Sequence, residues 1–311
     1  MATTFKGVAC GVLAAACYGT NPLGALPLYE DGVNTSSVLV YRFTAATAIL
    51  ALVMMAKRIS FKVTRRELGA LAMLGVLFGV SSILFYQSFH YVDAGIASTI
   101  LFVYPVIVAL MMAVLFHEKI TMVTVASIVM ALTGIALMYK GDSGTALNGT
   151  GVMFVMTSAV AYASYIIALN QSKIQMSSLK LTFYSILFCL VTLLIYSVTS
   201  PELYLMAPPA TRAWLCGLWL GLVPSVLSLV FMAVAVHEIG ATPTAVMGAV
   251  EPITAVAIGV MVFGEAITGR IVVGIVLILV AVTLIVVGKN FHVRTLRNKL
   301  SRAWKRRWTW K

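Results

Sequence analysis

EIGATPTAVMGAVEPITAVAIGVMVFGEAIT, residues 238–268, is apolar over a length that can cross a bilayer, yet Glu251 sits near its middle with Pro252 directly after it. The pattern occurs twice. Shifted by 147 residues, His90 falls under His237, Ala94 under Ala241, Val103 under Val250 and Pro105 under Pro252. Phe116, Glu118, Ile120 and Thr121 then fall under Phe263, Glu265, Ile267 and Thr268. Two unrelated apolar segments share composition, but not a His, a Pro, a Glu and a Thr in one order. The chain therefore reads as an internal duplication.

The repeat reaches the first helix of each half. With a shift of 144, Gly7-Val8 aligns with Gly151-Val152 and Tyr18 with Tyr162. Apolar runs predict ten spans, at roughly 7–28, 35–56, 68–89, 94–116, 121–139, 150–170, 178–198, 213–235, 242–262 and 268–288. Helix is the expected form, because backbone polar groups inside lipid must be satisfied within the segment. The runs lack the alternation of barrel strands. Five spans per half is an odd number, so the second half enters the membrane with opposite polarity. The expected fold is an all-α membrane protein of ten transmembrane helices in two inverted five-helix repeats. Residues 1–140 form the first repeat, 141–288 the second, and 289–311 a basic, Trp-rich cytoplasmic tail.

Composition agrees. Hydrophobic residues are 61% of the chain and charged residues 10%, which excludes an ordinary soluble domain. The net charge of +12 is concentrated at membrane-flanking positions: nine Lys and Arg lie between Lys289 and Lys311 and five between Lys57 and Arg66. Such charge sets orientation and meets anionic lipid, so the partner it implies is the bilayer and not nucleic acid. With the N-terminus inside, 18 Lys and Arg fall on that side and three on the other, Lys140, Arg212 and Arg270. Both termini are therefore expected to be cytoplasmic. The N-terminal apolar run reads as the first span and not as a removable signal. The tail, with Trp304, Trp308 and Trp310 among its cations, suits the surface of an anionic leaflet. Cys10, Cys17, Cys189 and Cys216 all lie in apolar runs without metal-ligand spacing. No metal or cofactor is expected. Gly7/Gly11, Gly75/Gly79 and Gly217/Gly221 have the spacing that lets membrane helices approach closely.

The ten-span plan, the repeat, and the pattern Pro105…Glu118 and Pro252…Glu265 resemble the drug/metabolite transporter superfamily, specifically its EamA-type members. The likeness is carried by Ala94-Gly95-Ile96-Ala97-Ser98, Ala241-Thr242, Glu251-Pro252 and Arg42-Phe43. It implies a transporter with a central cavity lined by spans 1, 3, 4, 6, 8 and 9, with spans 5 and 10 peripheral. The substrate does not transfer by resemblance.

No G-x-x-x-x-G-K-[ST] phosphate loop is present, which leaves a secondary carrier or a facilitator. Glu251 is the sharpest candidate: an ionised carboxylate at mid-membrane is costly unless it faces a cavity or partner, or holds a proton. A hydrogen bond tying span 9 to a neighbour is the alternative. Its repeat mate is Tyr104. Arg42 suits a substrate carboxylate held bidentately, or an internal carbonyl or acid partner, or an outward reach to the membrane interface. Tyr18 and Asn21 on span 1, Tyr86 and Gln87 on span 3, and Tyr162 and Tyr165 on span 6 are further lining candidates, as are Ser225 and Ser228 on span 8. A tyrosine-walled apolar cavity suits a small amphipathic solute, such as an amino acid or aromatic metabolite. Asn21-Pro22 and Pro224 are expected to bend or break their helices. His90 and His237 occupy equivalent helix ends, where gating competes with a plain surface role. Gly141-Asp142-Ser143-Gly144 has no matching His and carries no catalytic expectation. A membrane enzyme would need a reactive pair, which the sequence lacks. The expected function is an inner- or plasma-membrane secondary transporter that exports a small organic solute by alternating access. A proton is a candidate coupling ion, and uncoupled uniport is the competing reading.

Overall fold

The protein was analysed as a computed structural model, which describes residues 2–117, 121–139, 147–172, 174, 176–199, 205–207, 211–239, 244 and 246–287. Every regular element among these residues is helical. In chain order they are α1 (Ala2–Gly19), α2 (Asn21–Glu30), α3 (Thr35–Ala56), α4 (Arg65–Ser88), α5 (Ala94–Leu101) and α6 (Tyr104–Phe116). Then come α7 (Met122–Tyr139), α8 (Gly149–Gln171), α9 (Ser178–Thr199), α10 (Thr211–Leu220), α11 (Ser228–Ile239), α12 (Val250–Phe263) and α13 (Gly269–Val287). Eight helical stretches are long and apolar enough to cross a membrane, and Met122–Met138 and Val250–Phe263 are shorter apolar helices. The tail from Lys289, the loop 141–144, Glu118 and the Ala241-Thr242 pair lie outside the described residues.

Four spans that read as apolar runs are interrupted, and each interruption meets a proline. The first turns at Thr20 and restarts as α2 with Pro22 in its first turn. The fourth breaks at Phe102-Val103 and restarts as α6, whose second residue is Pro105. The ninth turns at Gly248-Ala249 before α12, whose third residue is Pro252. Proline lacks an N–H and fixes φ, so it costs least where a helix begins; Pro27, inside α2, is the exception among these spans. The eighth span is handled differently. Between α10 and α11 the chain widens into a π-helical segment, Gly221–Leu227, which contains Pro224. The carbonyl of Leu220, which Pro224 cannot serve, accepts a hydrogen bond from the Ser225 hydroxyl at 2.8 Å.

Helix ends follow local chemistry. Asn34 caps α3 by accepting from Ser37 N at 2.9 Å, and Thr64 with Glu67 forms a reciprocal capping box on α4. The helices on either side of the repeat close alike. His117 ends α6 in the left-handed region (φ 54°) with its N–H on Met112 O. Gly264 ends α12 there as well (φ 67°), with its N–H on Gly259 O. Each of these pairs is related by the 147-residue shift.

The small residues mark the close contacts. A Cβ on Gly75 or Gly79 would run into Phe188, Cys189 and Thr192 of α9. On Gly217 or Gly221 it would run into Tyr41, Ala45 and Ala46 of α3. Ser81 and Ser158 exchange hydroxyl-to-carbonyl bonds at 3.1 and 2.7 Å where α4 crosses α8. These contacts enclose a space at the centre of the bundle.

Candidate functional site: a central aromatic chamber

A cavity of about 240 Å3 occupies the middle of the bundle. Gly11, Ala14, Ala15 and Tyr18 recur on one face of α1 and form one wall, with the small residues making room. Phe78, Ser81, Ser82, Phe85 and Tyr86 of α4 form a second wall. The break in the fourth span brings in Phe102 and Tyr104, α8 contributes Tyr162, and α11 contributes Ser228, Met232 and Val236. The ninth span adds Thr244, Gly248 and Glu251, and α3 adds Arg42. Neither α7 nor α13 reaches the wall.

Arg42 is held from behind. It is 3% exposed, donating from Nε to Ser225 Oγ at 3.0 Å and from one terminal nitrogen to Tyr86 OH at 2.6 Å. Tyr86 OH in turn donates to Asn21 Oδ1 at 3.0 Å, and Asn21 Nδ2 donates to the Tyr18 carbonyl at 2.7 Å. The guanidinium also lies over the rings of Phe43, Tyr86 and Tyr18, at 5.1, 5.4 and 5.8 Å from their centroids. Every hydrogen-bonding neighbour is neutral. The three ion pairs among the described residues are Lys6–Glu238, Arg212–Glu30 and Arg212–Asp31, and include neither Arg42 nor Glu251. Glu251 is the second residue of α12, so the unsatisfied N–H groups of a helix start favour its negative charge. Tyr104 is the first residue of α6 and packs edge-on against Tyr162, with centroids 4.7 Å apart.

Of the residues singled out by sequence, Tyr18, Arg42, Tyr86, Tyr104, Tyr162, Ser228 and Glu251 share this wall. Tyr165 lines a smaller adjoining space of about 90 Å3, with Tyr18, Arg42 and Tyr162 common to both. Asn21 stands one layer back, behind Tyr86. Gln87 is half-buried and outside the wall. Phe78, Phe85 and Phe102 were not singled out, because phenylalanine in an apolar run carries no distinguishing mark. Ser225, singled out with Ser228, lies outside the main wall: it lines the smaller space and accepts from Arg42.

At the end of the bundle away from the N-terminus, the halves are tied by polar contacts. Glu265 accepts from Ala94 N at 2.9 Å and Gly95 N at 3.3 Å, capping α5 from across the repeat. Asp93 makes no such cap with its own side chain. Burial, then the neighbouring Asp93, pushes the Glu265 carboxyl above its usual range, against the opposing pull of the two N–H groups. Burial also raises Asp93. His90 shares a hydrogen bond with Thr35 at 3.1 Å, and burial lowers its imidazole below the usual range.

The pattern of the EamA-like transporter family matches residues 5–140 and again 149–287. The chain belongs to the EamA-like transporter family. Among its relatives, an uncharacterized transporter of Clostridium kluyveri is 22% identical over 285 residues, covering 88% of this chain and 91% of the relative. An uncharacterized transporter of Archaeoglobus fulgidus is 24% identical over 217 residues, covering 70% and 75%. A crystal structure described only as that of a protein superposes with a TM-score of 0.63 at 18% identity, covering 89% of this chain and 95% of the other. This EamA-like transporter is thus a multi-pass membrane protein.

Proposed function

We propose that this protein is a secondary carrier that exports a small organic solute, such as an amino acid or related metabolite, by alternating access of two inverted five-helix halves. The observation that carries the reading is the chamber itself. It receives a guanidinium from one half and a carboxylate from the other, not paired with each other, among seven aromatic side chains. A zwitterionic solute fits that arrangement, its carboxylate at Arg42, its cationic group at Glu251 and its apolar part against the rings. Tyr18, Tyr86, Tyr104, Tyr162 and Ser228 would contact it, Asn21 would position Tyr86, and Tyr165 would border the side chamber. Gln87 is given no role at the solute.

The inverted ten-helix repeat is supported by three observations. The family pattern matches two successive stretches. The glycine contacts pair α4 with α9 and α10 with α3, the third span on the seventh and the eighth on the second. The closures at His117 and Gly264 are equivalent. In this arrangement 1–140 and 141–288 are the halves, both termini and the tail 289–311 are cytoplasmic, and the protein sits in the inner or plasma membrane. Glu251 is then the group through which a proton would couple to transport.

Proteoliposomes preloaded with unlabelled amino acids test the carrier reading. Saturable counterflow of a labelled zwitterion supports it. Flux linear in concentration, with no counterflow for any zwitterion, refutes it.

A further inference from the structure

On the side of the bundle that carries the N-terminus, a separate cavity of about 200 Å3 lies between α3, α9 and α11. Its walls are aliphatic: Leu50 from α3, Leu179 from α9, and Val230, Ala233 and Val234 from α11. Two polar residues stand at its end, Lys57 and Ser178. From Lys57 to Leu50 is about 10 Å of helix, roughly a third of the hydrocarbon thickness. The space is therefore a slot, apolar along its depth and cationic at its rim.

The surrounding charge has one sign. Arg58, Lys62, Arg65 and Arg66 follow Lys57 in the chain, and Lys180 lies on α9. Among the described residues at this end, Glu67 is engaged in the capping box and Glu238 in the pair with Lys6. Lys57 belongs to none of the ion pairs among the described residues. Inwards, Thr182 and Leu229 line both the slot and the small chamber beside Arg42, and Leu229 reaches the main chamber too. Whatever fills the slot therefore presses on α11, the helix that carries Ser228, Met232 and Val236 into the chamber.

A hydrophilic solute finds only Thr182 along such walls, whereas an acyl chain is matched over most of their depth. A phosphodiester supplies the negative charge that Lys57 lacks. We propose that the slot between α3, α9 and α11 binds an anionic phospholipid of the bilayer, with one acyl chain between the helices and the phosphate at Lys57 and Ser178. A lipid so placed wedges α11 away from α3 and α9 and sets the shape of the chamber wall from the membrane side. The site stands independently of what the chamber carries.

Native mass spectrometry of the purified full-length protein tests it, with phosphatidylglycerol and phosphatidylcholine of identical chains added in turn. Wild type should retain phosphatidylglycerol about five-fold better, the worth of one lysine at an anionic surface. Lys57→Gln should bring retention down to the phosphatidylcholine level, and Ala233→Leu, which fills the slot, should reduce retention of both lipids. Arg66→Gln, on the same surface but away from the slot, should change neither. Equal retention of the two lipids by wild type, or an Arg66→Gln effect as large as that of Lys57→Gln, overturns the proposal, because the charge effect would then be diffuse. Competition by glycerol phosphate alone, at the concentration at which the lipid binds, overturns it as well. None of these readouts requires transport, so failure of the carrier reading leaves them intact.

Discussion

Glu265 and Gly259 offer a substitution pair whose sign reverses with background. The Glu265 carboxylate caps α5 through Ala94 N and Gly95 N, and it can do so because Gly259 has no side chain. A Cβ at Gly259 would meet Glu265 carboxyl atoms before any others. In wild type, Gly259→Ala must push the carboxylate off the start of α5. The lost cap costs about 1–2 kcal/mol. Alanine gains about 0.8–1 kcal/mol over glycine inside a helix. The net is a loss of up to about 1 kcal/mol. In a Glu265→Ala background the obstruction is gone and only the helical gain remains, so the same substitution should stabilise by about 0.8–1 kcal/mol. Glu265→Ala alone should cost about 1–2 kcal/mol.

The assay is equilibrium unfolding in mixed micelles for all four members of the cycle. The coupling energy should be about 1–2 kcal/mol, the worth of the cap. Additive effects within about 0.3–0.5 kcal/mol would falsify the Glu265 cap on α5. The pH dependence has a definite sign. The folded-state carboxyl of Glu265 is raised, so the folded protein holds this proton more tightly than the unfolded chain does. Its contribution is fully present below the ordinary carboxylate pKa and is lost as pH rises through the raised folded value. Glu265→Gln should remove that part of the decline, leaving the one from Asp93, which is raised too.

Glu251→Gln should leave unfolding little changed and flatten the pH profile of exchange in vesicles; a profile that overlays wild type refutes proton coupling through Glu251. Arg42→Lys should cost about 1.5–3 kcal/mol, because one ammonium cannot reproduce the fork that reaches both Tyr86 and Ser225, and exchange should fall at least about ten-fold. Unchanged affinity for a zwitterion in that variant removes Arg42 from the solute site. Gly221→Ala, whose Cβ would meet Ala45 Cβ at 2.6 Å and Ala46 N at 2.9 Å, should destabilise by about 1–3 kcal/mol. Gly69→Ala, on an open face of α4, should be neutral or stabilising by up to about 1 kcal/mol, and the contrast is read by thermal melts.

The sequence made the helices legible through apolar length, and two of the helix interruptions through Pro22 and Pro224; the breaks before Pro105 and Pro252 fall inside runs that read as continuous spans. Partners stayed hidden, because they join residues far apart in the chain. Arg42 meets Ser225 183 positions away, and Glu265 meets Ala94 171 positions away. No local pattern encodes such a pairing. Sequence chemistry left Arg42 with a solute carboxylate, an internal partner or the membrane interface; the structure gives it buried internal partners, and these are compatible with the proposed solute contact. Two neutral hydroxyls and three ring faces orient the guanidinium without neutralising it. The charge therefore stays available to the chamber. The repeat supplies the complementary element. Both halves break their fourth helix before a proline and turn the start of the following helix towards the centre, but one places Tyr104 there and the other Glu251. A strictly symmetric pair would present either two carboxylates, repelling each other across a small apolar space, or none. Divergence at this position gives the chamber wall a single carboxylate to set against a single guanidinium, the polarity that the proposed two-ended solute would need.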